Sequence, residues 1–305
     1  MSVAIIGTVA FDSIETPRGV HNRILGGSAT YAGVAASLFS PVHLISIVGS
    51  DFPQAHFDYL EKRGISTDGI IRSSGLTFHW KGFYKGDMSQ AHTLQTDLNV
   101  LLEFDPKVPA TAADSRIVFL GNFDPQLQLR AIKQFNRPEL VVMDSMNYWI
   151  QDHLSTLKET LKLVDVLILN DQEIRLLTGI DNVIQALPHV VKMGPKRIIV
   201  KKGEHGAIMY NGSDFFAVPA MPLDEVVDPT GAGDSFAGGI VGYLANSPTL
   251  TEEVFRKAVI IGTLVSSFTV RDFSLGMLER ITVDQLNTEF AHYRQIAAIP
   301  ETVLQ

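Results

Sequence analysis

Two aspartates bracket a turn of small residues in "VVDPTGAGDSFAGGIVGYL", the run from Val226 to Leu244. Gly231, Ala232 and Gly233 carry almost no side chain, so a ligand can come close to their main chain. An apolar helical pattern starts just after them, and the first N–H groups of a helix have no partners within it. The helix dipole adds positive potential at the same end. Together these features make a pocket for negative charge. Asp234 stands beside that pocket. A carboxylate there would repel a resting phosphate, but it suits a base that takes a proton from a nearby hydroxyl. The turn then stabilises charge on the group which that hydroxyl attacks. Positioning, charge stabilisation and one proton acceptor are what phosphoryl transfer requires. A plainer role is open to the same residues, because Asp-Pro-Thr-Gly is good turn chemistry and Asp234 can cap a helix.

The elements that must position this turn follow an alternating rhythm. "VAIIG", "VHLISIVG", "RIVFLG", "ELVVMD", "VDVLILN" and "RIIVKKG" read as buried strands. Helical segments such as "PQAHFDYLEKRG", "DHLSTLKETLKLV" and "DQEIRLLTG" lie between them. Continuous apolar strands alternating with helices predict a parallel sheet covered on both faces. Ligands of such sheets sit at the carboxyl ends of the strands. Asp12, Asn122, Asp144, Asn170 and Gly203 fall at or just after those ends, and Asp124 after "GNF" comes within reach of a substrate there. Asn170 and Glu173 also have the spacing of a helix-capping pair, and Lys201 and Lys202 that of a solvated strand end. Two stretches break the rhythm, "SIETPRGVHNRILGG" and "GLTFHWKGFYKGDMSQAHTLQTDLNVLLEFDP". Their alternating pattern and turn glycines predict antiparallel strands forming a small flap over one end of the sheet; the alternative is a pair of long surface loops. Phe78, His79 and Trp80 in that flap face either a substrate or a second subunit. From "DEVVDP" onward the pattern is helical.

Composition narrows the chemistry. The chain of 305 residues is long enough for a substantial core, and 25 Lys and Arg against 33 Asp and Glu leave it at −8. That balance gives no electrostatic reason to expect nucleic acid or an anionic membrane. With no cysteine, disulfides and thiolate metal sites are excluded. The nine histidines show no spacing of a zinc site. "MSVAIIGTVAFD" lacks a basic start and reads as a buried strand rather than a signal peptide, and no apolar run is long enough for a membrane span. A cytoplasmic location is expected. After "VAIIG" there is no G-x-G-x-x-G, which argues against an NAD-dependent oxidoreductase, and GxxxxGK[ST] is missing too. A silent ligand-binding protein is a further alternative, against which Asp234 and its glycine turn argue.

"DPTGAGDSFAGG" resembles the C-terminal signature of the ribokinase/PfkB family of ATP-dependent carbohydrate and nucleoside kinases. Gly26–Gly27, opening a small-residue helix, is similar to the family's other signature region. The resemblance runs from "IIGTVAFD" to "SSFTVRDFSLG". It implies an α/β, three-layer ribokinase-like fold as a single domain over 1–305, with a mostly parallel sheet, helices on both faces and a small antiparallel β lid from about 13–25 and 72–104. It implies that Asp234 is the catalytic base and that Gly231, Ala232 and Gly233 supply N–H groups to the transferring γ-phosphoryl. Asp12 would bind substrate hydroxyls, with Gly26 and Gly27 giving close approach. Asn170 would lie near the phosphates and Glu173 would act on Mg²⁺ through water. Lys201, Gly203 and Gly206 would border the nucleotide. Asp228 and Thr230, with main chain around Ser266 to Val270, would lie near a monovalent cation such as K⁺. The acceptor implied is a hydroxyl of a small sugar or sugar derivative, or alternatively of a nucleoside, and the lid implies a homodimer. One departure bears on the acceptor. Ribose-phosphorylating members carry Asn where this chain has Tyr31, and Lys where it has Ser28. Tyr31 is flatter and more apolar, suited to stacking on a sugar face or a base.

Overall fold

The computed structural model describes residues 1–298, so the end of the domain expected over 1–305 lies outside the described residues. β1 (Val3–Ile6) is buried throughout. β2 (Ala10–Thr16) and β3 (Gly19–Gly26) form a hairpin, and α1 (Ser28–Ala36) follows directly. β4 (Val42–Val48), α2 (Gln54–Lys62) and β5 (Ile65–Arg72) come next, then a second hairpin of β6 (His79–Phe83) and β7 (His92–Asp97). Strands and helices then alternate through β8 (Ile117–Leu120), α3 (Pro125–Ile132), β9 (Leu140–Asp144), α4 (Asn147–Asp152) and α5 (Leu154–Leu161). The alternation continues with β10 (Val166–Asn170), α6 (Asp171–Thr178), α7 (Val183–Val191) and β11 (Arg197–Lys201). β12 (Ala207–Tyr210) and β13 (Phe215–Val218) precede three helices, α8 (Ala232–Asn246), α9 (Glu252–Thr269) and α10 (Val283–Ile296).

The main sheet has nine strands in the order β13-β12-β11-β10-β9-β8-β1-β4-β5. Its pairings are parallel from β5 to β11, and β12 and β13 add an antiparallel end. β1 shows why the strands are apolar at every position. Val3 and Ile5 face one core, with residues of α1, α8 and α9, while Ala4 and Ile6 face the other, with residues of α3, α5, α6 and α7. Successive side chains of a strand point to opposite faces, so helices on both sides demand hydrophobic residues in both registers. From β1 the chain steps outward through β4 and β5, then crosses back to β8 and continues the other way. That reversal beside β1 opens a crevice at the carboxyl ends of the strands. Among the described residues no helix is long and apolar enough to cross a membrane.

The second sheet is the expected lid, in the order β3-β2-β6-β7. Its two hairpins are antiparallel, and a parallel pairing of β2 with β6 joins them. Here the structure corrects one placement. Asp12 does not follow the first strand of the main sheet; it lies inside β2, opposite Ile24 and Trp80. Gly7 to Val9 interrupt what reads in sequence as one strand. The lid is tied down near the glycine turn. Thr16 donates through Oγ1 to the Val227 carbonyl at 2.9 Å, and the His21 ring lies 4.1 Å from that of Phe273. The flap aromatics serve the sheet itself: His79 bridges Ser13 and Asp97, and Trp80 Nε1 donates to Thr93.

Candidate active site

The glycine turn is built from its sequence outward. Asp228 Oδ1 accepts the Thr230 N–H at 2.9 Å, which folds the Asp-Pro-Thr segment. Gly231 then adopts φ 75°, a left-handed conformation that glycine enters without a steric penalty, and caps α8. A Cβ on Gly231 would overlap the Tyr31 ring, so two constraints require glycine here. The Ala232 N–H closes the turn onto the Pro229 carbonyl at 3.2 Å, and the Ser235 N–H reaches the Gly231 carbonyl at 2.8 Å. Ala232 is thus committed to the turn rather than offered to a ligand. Among the described residues the amides of Gly231, Gly233 and Asp234 make no such bond.

Asp234 follows within the first turn of α8, half-buried. Burial is the main force pushing its pKa up to about 7, Asp144's charge adds to the rise, and Lys201 opposes it. Lys201, at the end of β11, donates to Asp144 Oδ2 at 2.9 Å. Its Nζ lies 3.1 Å from where a Cβ on Gly233 would stand, hard against the turn. Burial disfavours its charge, but Asp144 and Glu173 outweigh that and hold its pKa above the ordinary value. Asn170 and Glu173 form a reciprocal capping box on α6: Asn170 Oδ1 accepts the Glu173 N–H, and Glu173 Oε2 accepts the Asn170 N–H. The capping role is therefore realised, and it fixes the Glu173 carboxylate. Burial raises Glu173 to about 7, with Lys201 opposing and Asp144 adding.

The lid supplies the other wall. The Asp12 carboxylate rests on Gly26, where any Cβ would collide with it. Burial raises its pKa to about 7, helped by Asp228 and Asp234, against a hydrogen bond from the Gly27 N–H. Asp228 is buried, and its Oδ2 has no partner among the described residues. Its Oδ1 is occupied, and the Val270 carbonyl nearby already accepts the Val227 and Asp228 N–H groups. Thr230 Oγ1 donates to the Tyr84 hydroxyl at 3.2 Å, a link between lid and turn that the sequence did not announce. Tyr84 sits just past β6, and no motif distinguishes it from the other lid aromatics.

Two expected substrate residues have different roles. Tyr31 is 1 % exposed, and its ring packs against Gly231 rather than presenting a face to an acceptor. Ser28 is pinned by Thr8, whose N–H reaches its Oγ at 3.1 Å. Asp124 caps α3, accepting the Gln126 N–H at 2.7 Å. Gly203 and Gly206 both take positive φ at the β11–β12 turn, and Gly206 is required because a Cβ would collide with the Val218 carbonyl. A Cβ on Gly203 would meet nothing within 4 Å, which leaves an open approach beside Lys201.

Asp144, Glu173 and Asp234 gather about Lys201, and Asp12 and Asp228 lie on the lid side of Asp234. Like charges so close raise one another's pKa and call for cations when an anion enters. The arrangement suits an acid–base step at a hydroxyl beside a bound phosphate. Comparison with known proteins agrees. The model for the family described as pfkB family carbohydrate kinase matches residues 2–279. A cytidine kinase of Thermococcus kodakarensis is 27 % identical over 81 % of this chain and 90 % of its own. A nucleoside kinase of Burkholderia thailandensis, solved with inosine, has the same fold, with TM-score 0.79 at 18 % identity over 96 % of this chain and 98 % of its own. An E. coli protein solved with ATP and Mg²⁺ superposes with TM-score 0.77 at 19 % identity, over 95 % and 99 % of the two chains.

Proposed function

This chain belongs to the pfkB family of carbohydrate kinases, and we propose that it moves the γ-phosphoryl of ATP to a hydroxyl of a small sugar or of the sugar of a nucleoside. One observation carries the reading: a carboxylate with a pKa near 7 stands in the first turn of a helix whose free amides and neighbouring Lys201 form an anion pocket. Asp12 and Gly26–Gly27 orient the acceptor from the lid. Asp234 takes the hydroxyl proton as the acceptor oxygen bonds to the γ-phosphorus. The bond from that phosphorus to the β–γ bridging oxygen breaks, and its electron pair leaves with ADP. The amides of Gly231 and Gly233 stabilise charge on the transferring group, and Lys201 faces the same space. Gly203 and Gly206 shape the nucleotide side.

The acidic cleft fits Mg²⁺ brought in with ATP, which neutralises phosphate charge when bound. Among the described residues no cluster of three His, Cys, Asp or Glu side chains is placed to hold a metal directly. The fixed carboxylate of Glu173 would act on Mg²⁺ through water, with Asn170 near the phosphates. The buried, unpartnered Asp228 Oδ2 fits a monovalent cation such as K⁺. The kinase names of the relatives favour testing nucleosides beside sugars. The edge strands β3 and β7 of the lid, with Val20 and Leu94 exposed, support a homodimer through that sheet.

The test is coupled ADP release with cytidine, inosine and ribose as acceptors. Asp234→Asn should lose about 10²–10⁴-fold in turnover, the range for removing a general base, while ATP still binds. Near-full activity in that variant would remove Asp234 from the chemistry.

A further inference from the structure

Lys201 cannot be held at the glycine turn by its own strand alone. It is a long, flexible side chain at the last residue of β11, with an open approach beyond it at Gly203. The fixed group is Asp144. It ends β9, two strands away, and is 3 % exposed. Its carboxylate is gripped at both oxygens: Oδ1 accepts the Ser145 N–H at 2.9 Å and Oδ2 accepts from Lys201 Nζ at 2.9 Å. Its main-chain carbonyl is reached by the buried Gln128 amide. Where a side chain would project from Gly233 there is instead the ammonium, beside an N–H with no partner.

We propose that Asp144 is a positioning residue for the phosphoryl-transfer step, holding the Lys201 ammonium over the amides of the first turn of α8 so that cation and amides face one phosphoryl group together. The proposal rests on the kinase reading above. A buried ion pair of purely structural value is the competing explanation, since removing one partner of such a pair leaves an uncompensated buried charge. The two make different demands. If Asp144 acts through Lys201, it affects the rate of transfer and has no further effect once Lys201 is gone. If the pair only stabilises the fold, losses follow the folded fraction.

The first measurement needs no acceptor. Reductive methylation followed by mass spectrometry reads the accessibility of Lys201 in the full chain. ATP with Mg²⁺ should protect Lys201 in the wild-type protein, and Asp144→Asn should make it react several-fold faster without nucleotide. The second is a kinetic cycle. Asp144→Asn and Lys201→Gln should each lower kcat by about 10²-fold, the scale of losing one group that stabilises transition-state charge. The ATP KM of Asp144→Asn should stay within about threefold of wild type, and the double variant should be no slower than the Lys201→Gln variant. Unprotected Lys201, or kcat losses that multiply in the double variant, would overturn the proposal. Should Asp144→Asn fail to fold, protection of Lys201 in the wild-type protein still tests where the ammonium points. No ADP release by the wild-type protein with any of the three acceptors would instead sink the kinase reading, while the methylation result would still decide the placement of Lys201.

Discussion

With Asp234 as the proposed base, the balance of burial and charge around it would set the working pH. A carboxyl near 7 is half-ionised around neutrality, which is the condition for an efficient general base. Since the base must be ionised, kcat/KM should rise with pH along an acidic limb near 7. Asp12 titrates in the same range and the two charges oppose each other, so the limb belongs to the pair. Lys201 holds Asp234 down. Lys201→Gln should therefore move the limb to higher pH, and a pH–rate profile that stays in place would show that the ammonium does not act on this carboxylate. The same shift acts on folding. The folded pKa of Asp234 lies above its ordinary 3.8, so the native state holds a proton that the unfolded chain releases. Its stabilising share is complete below pH 4 and is lost as pH rises through about 7. Asp234→Asn should thus melt at a higher temperature than wild type at pH 8, with the difference closing towards pH 4. Equal melting curves at pH 8 would mean that the carboxylate sits comfortably charged.

At the level of elements, α8 presents its amides correctly because glycines let it lie against its neighbours. A Cβ on Gly238 would collide with the Ala32 carbonyl of α1, and one on Gly242 would stand 2.7 Å from Ala36 Cα. On the other side Gly239 and Gly262 bring α8 and α9 together. Gly238→Ala should force the two helices apart and lower stability by about 1–3 kcal/mol, the usual cost of overpacking, despite the better helix propensity of alanine. Thermal or denaturant unfolding checks this, and a stabilised variant would show that the interface yields easily. The glycines also mark where sequence reasoning reached its limit. "GAGD" reads in sequence either as an anion pocket with a base or as turn and cap chemistry, and the structure shows the turn and the helix start that both readings need. "NDQE" gave its capping box from spacing alone. The packing behind them was hidden. Tyr31 looked like a stacking surface because its type is visible in the sequence, whereas the backbone of Gly231 lying across its ring is a contact between residues 200 positions apart. Ala232 looked like a donor until the turn used its N–H. β12 and β13 do not stand out in the sequence for a related reason: they form the antiparallel end of an otherwise parallel sheet, outside the alternation that marks the other strands.

For the whole molecule, the residues proposed to act on the phosphate and on the acceptor ride on different parts of the structure. Asp234, Lys201 and Asp144 belong to the main sheet and its helix, but Asp12 belongs to the lid. The sequence located the lid by its broken rhythm, yet it could not show that Asp12 was part of it, since that depends on the interruption at Gly7 to Val9 and on pairing with β6. The separation has a kinetic consequence. Whatever displaces the lid should weaken the acceptor and spare the nucleotide, whose proposed partners Asn170, Lys201, Gly203 and Gly206 all lie outside the lid. An edge strand with exposed apolar side chains is a surface that natural proteins usually pair or protect, and Val20 on β3 is 60 % exposed. Val20→Asp puts a charge on that edge without touching Asp12. If subunits pair there, light scattering should show monomers where the wild-type protein gives dimers. The acceptor KM should then rise while the ATP KM holds, because the unsupported lid no longer holds Asp12 near Asp234. A wild-type monomer would dispose of the dimer outright. A Val20→Asp monomer with an unchanged acceptor KM would show instead that the contacts of Thr16 with Val227 and of Tyr84 with Thr230 hold the lid unaided.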